Sequence, residues 1–167
     1  VTQSALRMNN LSGIFSFINQ LKQICNFDHT KNHSAKSDWI KDYLKVSTEE
    51  FPKLIIFSQY VKSLEELKRK LTPIINCQVF HGGHNQEQRK QIVSRFENSA
   101  GPRALLISLK AGGVGLNIPS ATHVIMFDLW WNPALENQAI QRAHRFGRQS
   151  SLTAIRFITH NSIEERI

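Results

Sequence analysis

The chain has 167 residues, 41% of them hydrophobic and 20% charged, a size and balance suited to one globular domain with its own core. No run of 18 apolar residues occurs and no charged-then-apolar leader opens the chain, so neither a membrane-spanning helix nor secretion is expected. Lys and Arg number 21 against 13 acids, a net charge of +8, and residues 51–150 hold 13 basic and 6 acidic side chains, so +7 of the excess lies there; such a bias suits a polyanionic partner.

Leu11, Ile14, Phe15, Ile18, Leu21 and Ile24 recur at helical spacing. The polar stretch 26–37 reads as a loop. Ile40, Tyr43 and Leu44 mark a second short helix, with Ser37 as its expected N-cap. From residue 53 the texture changes to alternating elements. Leu54–Phe57 reads as a buried strand, and Ser63-Leu-Glu-Glu66 as a capping box opening a helix with Leu64, Leu67 and Leu71 on one face. Gln78–Phe80 is a short strand. Asn85 and Gln88 then open a helix with Ile92, Val93 and Phe96 facing inward. Ala104–Ile107 and His123–Phe127 are strands, and Pro133 suits the first turn of a helix that runs to about Phe146 and stops at Gly147. Leu152–Ile158 is a last strand.

This order predicts an α/β fold with right-handed crossovers and a mostly parallel sheet, flanked by helices and preceded by an N-terminal helical segment. The strand runs are apolar throughout, as both-face burial requires. Ligands of such sheets bind at the carboxyl ends of the strands. The expected division is a helical lead-in over 1–50 and an α/β lobe over 51–167. Val1 at the start and a helix-like Ser162–Ile167 at the end read as cuts, so the chain is expected to be a fragment of something larger. Cys25 and Cys77 lie far apart and outside any C-x-x-C pair, which predicts two buried free thiols in a reducing compartment, with no disulfide framework and no metal site.

Three clusters carry chemistry. Ser108–Asn117 follows a strand directly and places Gly112, Gly113 and Gly115 within four residues. Exposed N–H groups there could hold phosphate oxygens, or the segment could be a flexible turn. It is neither a Walker loop nor G-x-G-x-x-G. On the helix after Pro133, Gln138, Arg142 and Arg145 form one polar stripe at i, i+4 and i+7, with Glu136 the one acid. Two arginines a turn apart suit a phosphate clamp, because a guanidinium stays charged and offers a planar fork; an ion-pair network is the alternative. Trp130-Trp-Asn-Pro133 follows a strand ending in Asp128, with one ring expected in the core and one free to meet a partner.

The strings SLKAGGVGLN and FDLWWNPALENQAIQRAHRFG, with FHGG followed by Arg89 and Phe96, closely resemble the C-terminal RecA-like lobe of Swi/Snf-type ATPases, a branch of helicase superfamily two. Phe57-Ser-Gln-Tyr60, Leu21–Asn26 and Ser162–Glu165 resemble neighbouring segments of that lobe, so the likeness covers nearly the whole chain.

The resemblance implies a RecA-like three-layer fold and a second motor lobe that closes on ATP and Mg2+ held mainly by an N-terminal lobe of the same polypeptide. Arg142 and Arg145 would be the arginine fingers, with Gln138, Gly113, Gly115 and Asn117 near the nucleotide. Ser58, Gln59, Gly82, Gly83, Ser108, Lys110, Trp130 and Asn132 would contact the backbone of double-stranded DNA, and a DNA-bound protein would be the remodelling target. No metal ligand and no membrane partner are implied, and the setting would be intracellular: the nucleus in a eukaryote, the cytoplasm in a bacterium or archaeon. The fragment alone would not hydrolyse ATP, since the Walker lysine and the acidic metal pair belong to the other lobe. Neither His81 nor His144 is given an acid–base role. Two positions depart from the family pattern: Gln141 stands where an acid usually precedes the first finger, and Arg148 where Gln usually follows the glycine. Arg148 resembles the H-R-x-G-R ending of ordinary helicases, and is open as a third phosphate contact or an exposed charge. A strand-separating helicase lobe, a restriction-type translocase lobe and a non-catalytic binding module remain the alternatives.

Overall fold

The computed structural model describes residues 2–47, 52–98, 103–112, 116, 118–143 and 151–166. Five strands form one parallel sheet: β1 (Lys53–Ser58), β2 (Asn76–Phe80), β3 (Arg103–Ser108), β4 (His123–Met126) and β5 (Thr153–Arg156), in the order β2-β3-β1-β4-β5. β1 is central. It pairs with β3 from Lys53↔Arg103 to Ser58↔Ser108 and with β4 from Leu54↔His123 to Phe57↔Met126. β2 and β5 are the edges, and β5 is correspondingly exposed.

Each central strand is apolar without alternation because both of its faces are covered. Leu54, Ile56, Leu106 and Ile125 join one core with Ile40 of α2 (Ala35–Val46) and Leu64, Leu67 and Leu71 of α3 (Val61–Leu71). Ile55, Phe57, Leu105, Ile107, Val124 and Met126 join the opposite core with Phe96 of α4 (Gln86–Glu97), Leu109 and Ala111 of the one-turn α5 (Leu109–Gly112), and Ala139 of α6 (Pro133–Ala143). Period-two alternation along each strand thus feeds two helical layers, and the three-layer α/β fold expected from the sequence is what forms.

The Asn85 capping box is present: its side chain accepts from Gln88 N–H, and the Gln88 side chain accepts from Asn85 N–H, both at 2.9 Å. Lys53 closes the other end of α4 by donating to Phe96 O at 3.1 Å and Glu97 O at 2.8 Å. Two expected caps are corrected. Ser34, not Ser37, caps α2, accepting from Ser37 N–H at 3.1 Å, so that helix begins two residues before Ser37. Ser63 does not open α3. That helix starts at Val61, and the buried Ser63 hydroxyl instead accepts from Asn26 Nδ2 at 3.2 Å. A tertiary partner has taken the oxygen that the local motif would have used.

α1 (Thr2–Asn26) is helical as its periodicity implied, but several of its described apolar residues stay exposed. Ile14, Phe15, Phe17 and Ile24 are 54–60% exposed, whereas Lys22 and Asn26 are fully buried. The segment after β3 begins with the helical turn α5, which seats Leu109 and Ala111 in the core before the glycines. The end of α6, with Phe146 and Gly147, lies outside the described residues. Both cysteines are free, but Cys25 is half-buried, against the expectation that both are buried. Burial pushes the Cys77 thiol up to about 12.

Candidate nucleic-acid interface

A parallel sheet brings every strand's carboxyl end to one edge. The candidates following β1, β2, β3 and β4 therefore share that edge. At its centre lies Asp128, directly beyond β4 and fully buried. Its Oδ2 accepts from Ser58 Oγ and from Asn26 Nδ2, the latter at 2.9 Å, and its Oδ1 accepts from Gln59 N–H at 2.9 Å. Burial raises this carboxyl above its ordinary value, while these three donors and the charge of Lys36 pull it back.

The network extends outward from Asn26. Lys36 Nζ donates to Asn26 Oδ1 at 3.1 Å, Phe127 O at 2.9 Å and Glu164 Oε1 at 2.6 Å. Glu164 sits in a 3-10 turn (Ile163–Arg166), and its other oxygen accepts from Thr159 N–H at 2.8 Å. The Lys36–Glu164 pair is a buried ion pair, with side chains 6% and 0% exposed. Leu129 O accepts from Gln59 Nε2 at 2.5 Å and from Lys22 Nζ at 2.6 Å. Burial lowers the Lys22 ammonium, opposed chiefly by the charge of Asp128. The same ammonium lies 5.2 Å from the Trp131 ring centroid. Tyr60 donates to Asn19 Oδ1 at 3.0 Å, and burial together with the nearby Asp128 and Glu164 charges raises its phenol to about 12.

The loop after β4 is held from its far side as well. Trp130 N–H donates to Glu136 Oε1 at 2.5 Å, and Arg156 Nε donates to Glu136 Oε2 at 3.2 Å. Asn132 Oδ1 accepts from Ala134 N–H at 3.0 Å and so caps α6. Trp130 packs half-buried on the core and Trp131 is the exposed ring, as adjacent tryptophans required of one another. After β2, His81 N–H donates to His84 Nδ1 at 3.2 Å and Gly83 N–H to His81 Nδ1 at 3.1 Å. A Cβ on Gly83 would meet the His81 ring at 2.9 Å, whereas Gly82 faces open space. Gly82 O accepts from Arg89 at 3.0 Å.

The candidate side chains are therefore presented unequally. Gly82, Gly83, Lys110 and Asn132 are exposed at the edge. Ser58 and Ser108 are buried, and the Gln59 amide is turned onto Leu129 O. Gln138 is exposed on α6, one position before the buried Ala139. Arg142 lies in the α6 backbone, but its side chain, like Gly113, Gly115, Asn117, Arg145 and Arg148, falls outside the described residues. Among the described residues no group of three His, Cys, Asp or Glu side chains could hold a metal ion. Sequence reasoning gave no role to Lys22, Asn26, Lys36 or Glu164. Three of them stood inside the flanking segments Leu21–Asn26 and Ser162–Glu165, and polar residues amid a helix's apolar spacing were the available signal.

The helicase conserved C-terminal domain matches residues 35–147. This chain belongs to that family, in its Swi/Snf branch. The C-terminal part of the Fun30 ATPase domain superposes with a TM-score of 0.74 at 28% identity, covering 96% of this chain and 52% of that one. The SWI2/SNF2 ATPase C-terminal domain of Sulfolobus solfataricus gives 0.72 at 27% identity, covering 92% of this chain and 65% of that one. Among curated relatives, an uncharacterized ATP-dependent helicase of Mycoplasma pneumoniae is 36% identical over 159 residues, 92% of this chain and 15% of that protein. The putative ATP-dependent helicase/translocase YwqA of Bacillus subtilis is 35% identical over 166 residues, 92% of this chain and 18% of that protein. DNA repair protein RAD5 of Saccharomyces cerevisiae is 40% identical over 121 residues, 68% of this chain and 10% of that protein. The chain thus spans less than a fifth of the length of these relatives. No described helix is long and apolar enough to cross a membrane.

Proposed function

We propose that this chain is the second motor lobe of an ATP-dependent translocase on double-stranded DNA. Residues 51–167 form the lobe, and residues 1–50 are the lead-in joined to it. A first lobe of the same polypeptide holds ATP and Mg2+, and closure brings Arg142 and Arg145 to the terminal phosphate, where a guanidinium offsets charge in the transition state. Gln138, Gly113, Gly115 and Asn117 lie near the nucleotide. The 167 residues alone are therefore inactive.

The observation that carries this proposal is the shared strand-end edge, with Gly82, Gly83, Lys110 and Asn132 exposed along it in a region carrying most of the chain's positive charge. Contacts from such an edge go to phosphate and sugar, which makes binding salt-sensitive and weakly sequence-specific. Ser58, Gln59 and Ser108 serve it by shaping the loops, and Trp130 by anchoring its own. Relatives in this family are named as helicases, translocases and a DNA repair protein, so a DNA-bound protein as the remodelling target is consistent with it. The setting is the nucleus in a eukaryote and the cytoplasm in a bacterium or archaeon.

The test is ATP turnover by the full-length protein, with and without duplex DNA, for wild type and Arg145→Ala. DNA stimulation of the wild type, with a variant about a thousandfold slower that still binds ATP, supports the finger role. A variant that keeps its rate makes Arg145 structural and the chain a binding module on a motor fold.

A further inference from the structure

The strand-end edge consists of separate loops, and a surface that tracks a DNA backbone works only if those loops keep a constant spacing. The loops after β1 and β4 have no backbone ladder between them. Beyond Phe57 the β1–β4 pairing has ended, with Met126 as the last partner. What joins them is Asp128. One carboxylate accepts from Ser58 and from Gln59 N–H on the β1 side while belonging to the β4 chain, and Gln59 returns a bond to Leu129 O. The same carboxylate accepts from Asn26 at the end of α1, and Asn26 accepts from Lys36 of α2. Lys36 in turn donates to Phe127 O, immediately before Asp128, and ends on Glu164 of the 3-10 turn. Asn26, Lys36, Asp128 and Glu164 are all buried, so these bonds are shielded from competition with water.

We infer that Asp128 and Lys36 are positioning residues of the DNA-contacting edge, setting the loops after β1 and β4 in one fixed relation and locking that relation to α1, α2 and the 3-10 turn. Neither touches the nucleic acid; they act through Gln59 and through the Leu129–Asn132 loop. The lead-in helices and the 3-10 turn near the end of the lobe thereby share one buried junction with its working edge, and a displacement of either is transmitted to the edge. This inference rests on the proposed role of that edge in DNA binding.

The test uses Asp128→Asn and Glu164→Gln in the full-length protein. Asp128→Asn keeps the shape but turns an NH2 group toward donors that need an acceptor. Glu164→Gln removes the charge that holds Lys36, and Lys36 bonds Asn26 Oδ1 and Phe127 O next to the loops. Amide hydrogen exchange should quicken together in Gln59–Val61 and Leu129–Asn132 in both variants. Half-saturating duplex DNA for ATPase stimulation should rise about tenfold in Asp128→Asn, with the KM for ATP held within about twofold. Phe96→Leu, a loss of packing in the opposite core, should slow or quicken neither loop selectively. The inference is overturned if Glu164→Gln leaves both loops unchanged, if one loop loosens without the other, or if half-saturating DNA does not move. Should the wild type show no DNA stimulation, the functional proposal has failed, and hydrogen exchange alone decides the positioning role. Should Asp128→Asn not fold, Glu164→Gln carries the exchange measurement.

Discussion

Replacing Lys36 by methionine should be among the costliest single changes in this chain. The ammonium donates three bonds: 3.1 Å to Asn26 Oδ1, 2.9 Å to Phe127 O and 2.6 Å to Glu164 Oε1. Methionine fills similar space but donates nothing. Glu164 would then keep Thr159 N–H on one oxygen and lose every partner shown for the other, while staying buried. Breaking a buried pair by removing one partner costs about 3–5 kcal/mol. For a chain of this size that is a fall in melting temperature of about 6–20 °C, and about a fifth or more of a stability of about 5–15 kcal/mol. Urea unfolding followed by the fluorescence of Trp39, Trp130 and Trp131 measures the loss. Lys36→Met with Glu164→Gln should recover most of it, because the stranded charge is gone. A loss under about 1 kcal/mol for Lys36→Met, or a double variant no better than the single, would refute the claim that the pair is buried and mutually dependent.

Further outcomes are expected elsewhere. Asn85→Ala removes the α4 cap and should cost about 0.5–2 kcal/mol, read by urea unfolding. Leu67→Ala, in the core between α3 and the sheet, should cost about 2–5 kcal/mol in the same assay. In the native protein a thiol reagent at pH 8 should modify Cys25 and spare Cys77, whose thiol is buried and raised to about 12; equal labelling of both would contradict that burial. In the full-length protein, Lys110→Ala should lower the slope of log affinity against log salt by about one for duplex DNA, across unrelated sequences; an unchanged slope removes Lys110 from the interface.

Much of the architecture was legible before any coordinates. Five apolar runs separated by helical patterns fix an α/β sheet, because a strand that is hydrophobic throughout must be covered on both faces. Asn85 with Gln88 was readable because both halves of that cap lie within four residues. Ser63 with Glu66 carries the same local signal and fails, since Asn26, 37 residues away in sequence, occupies the serine hydroxyl. Helical periodicity in α1 correctly predicted a helix but left its buried side open: Ile14, Phe15, Phe17 and Ile24 face outward while Lys22 and Asn26 go in. Periodicity reports which residues share a face, not what that face meets.

The sequence by itself determined the order of elements, the parallel sheet and the edge to which its loops belong, because these follow from local spacing and from the rule that parallel strands end together. Only the tertiary structure decided that Ser58 and Gln59 are tied to Asp128, and that two lysines and a glutamate are buried around them. The physical reason is that a buried charge is tolerable only where partners converge on it. Here those partners are Asn26, Lys36, Phe127 and Glu164, brought together from four elements by folding alone.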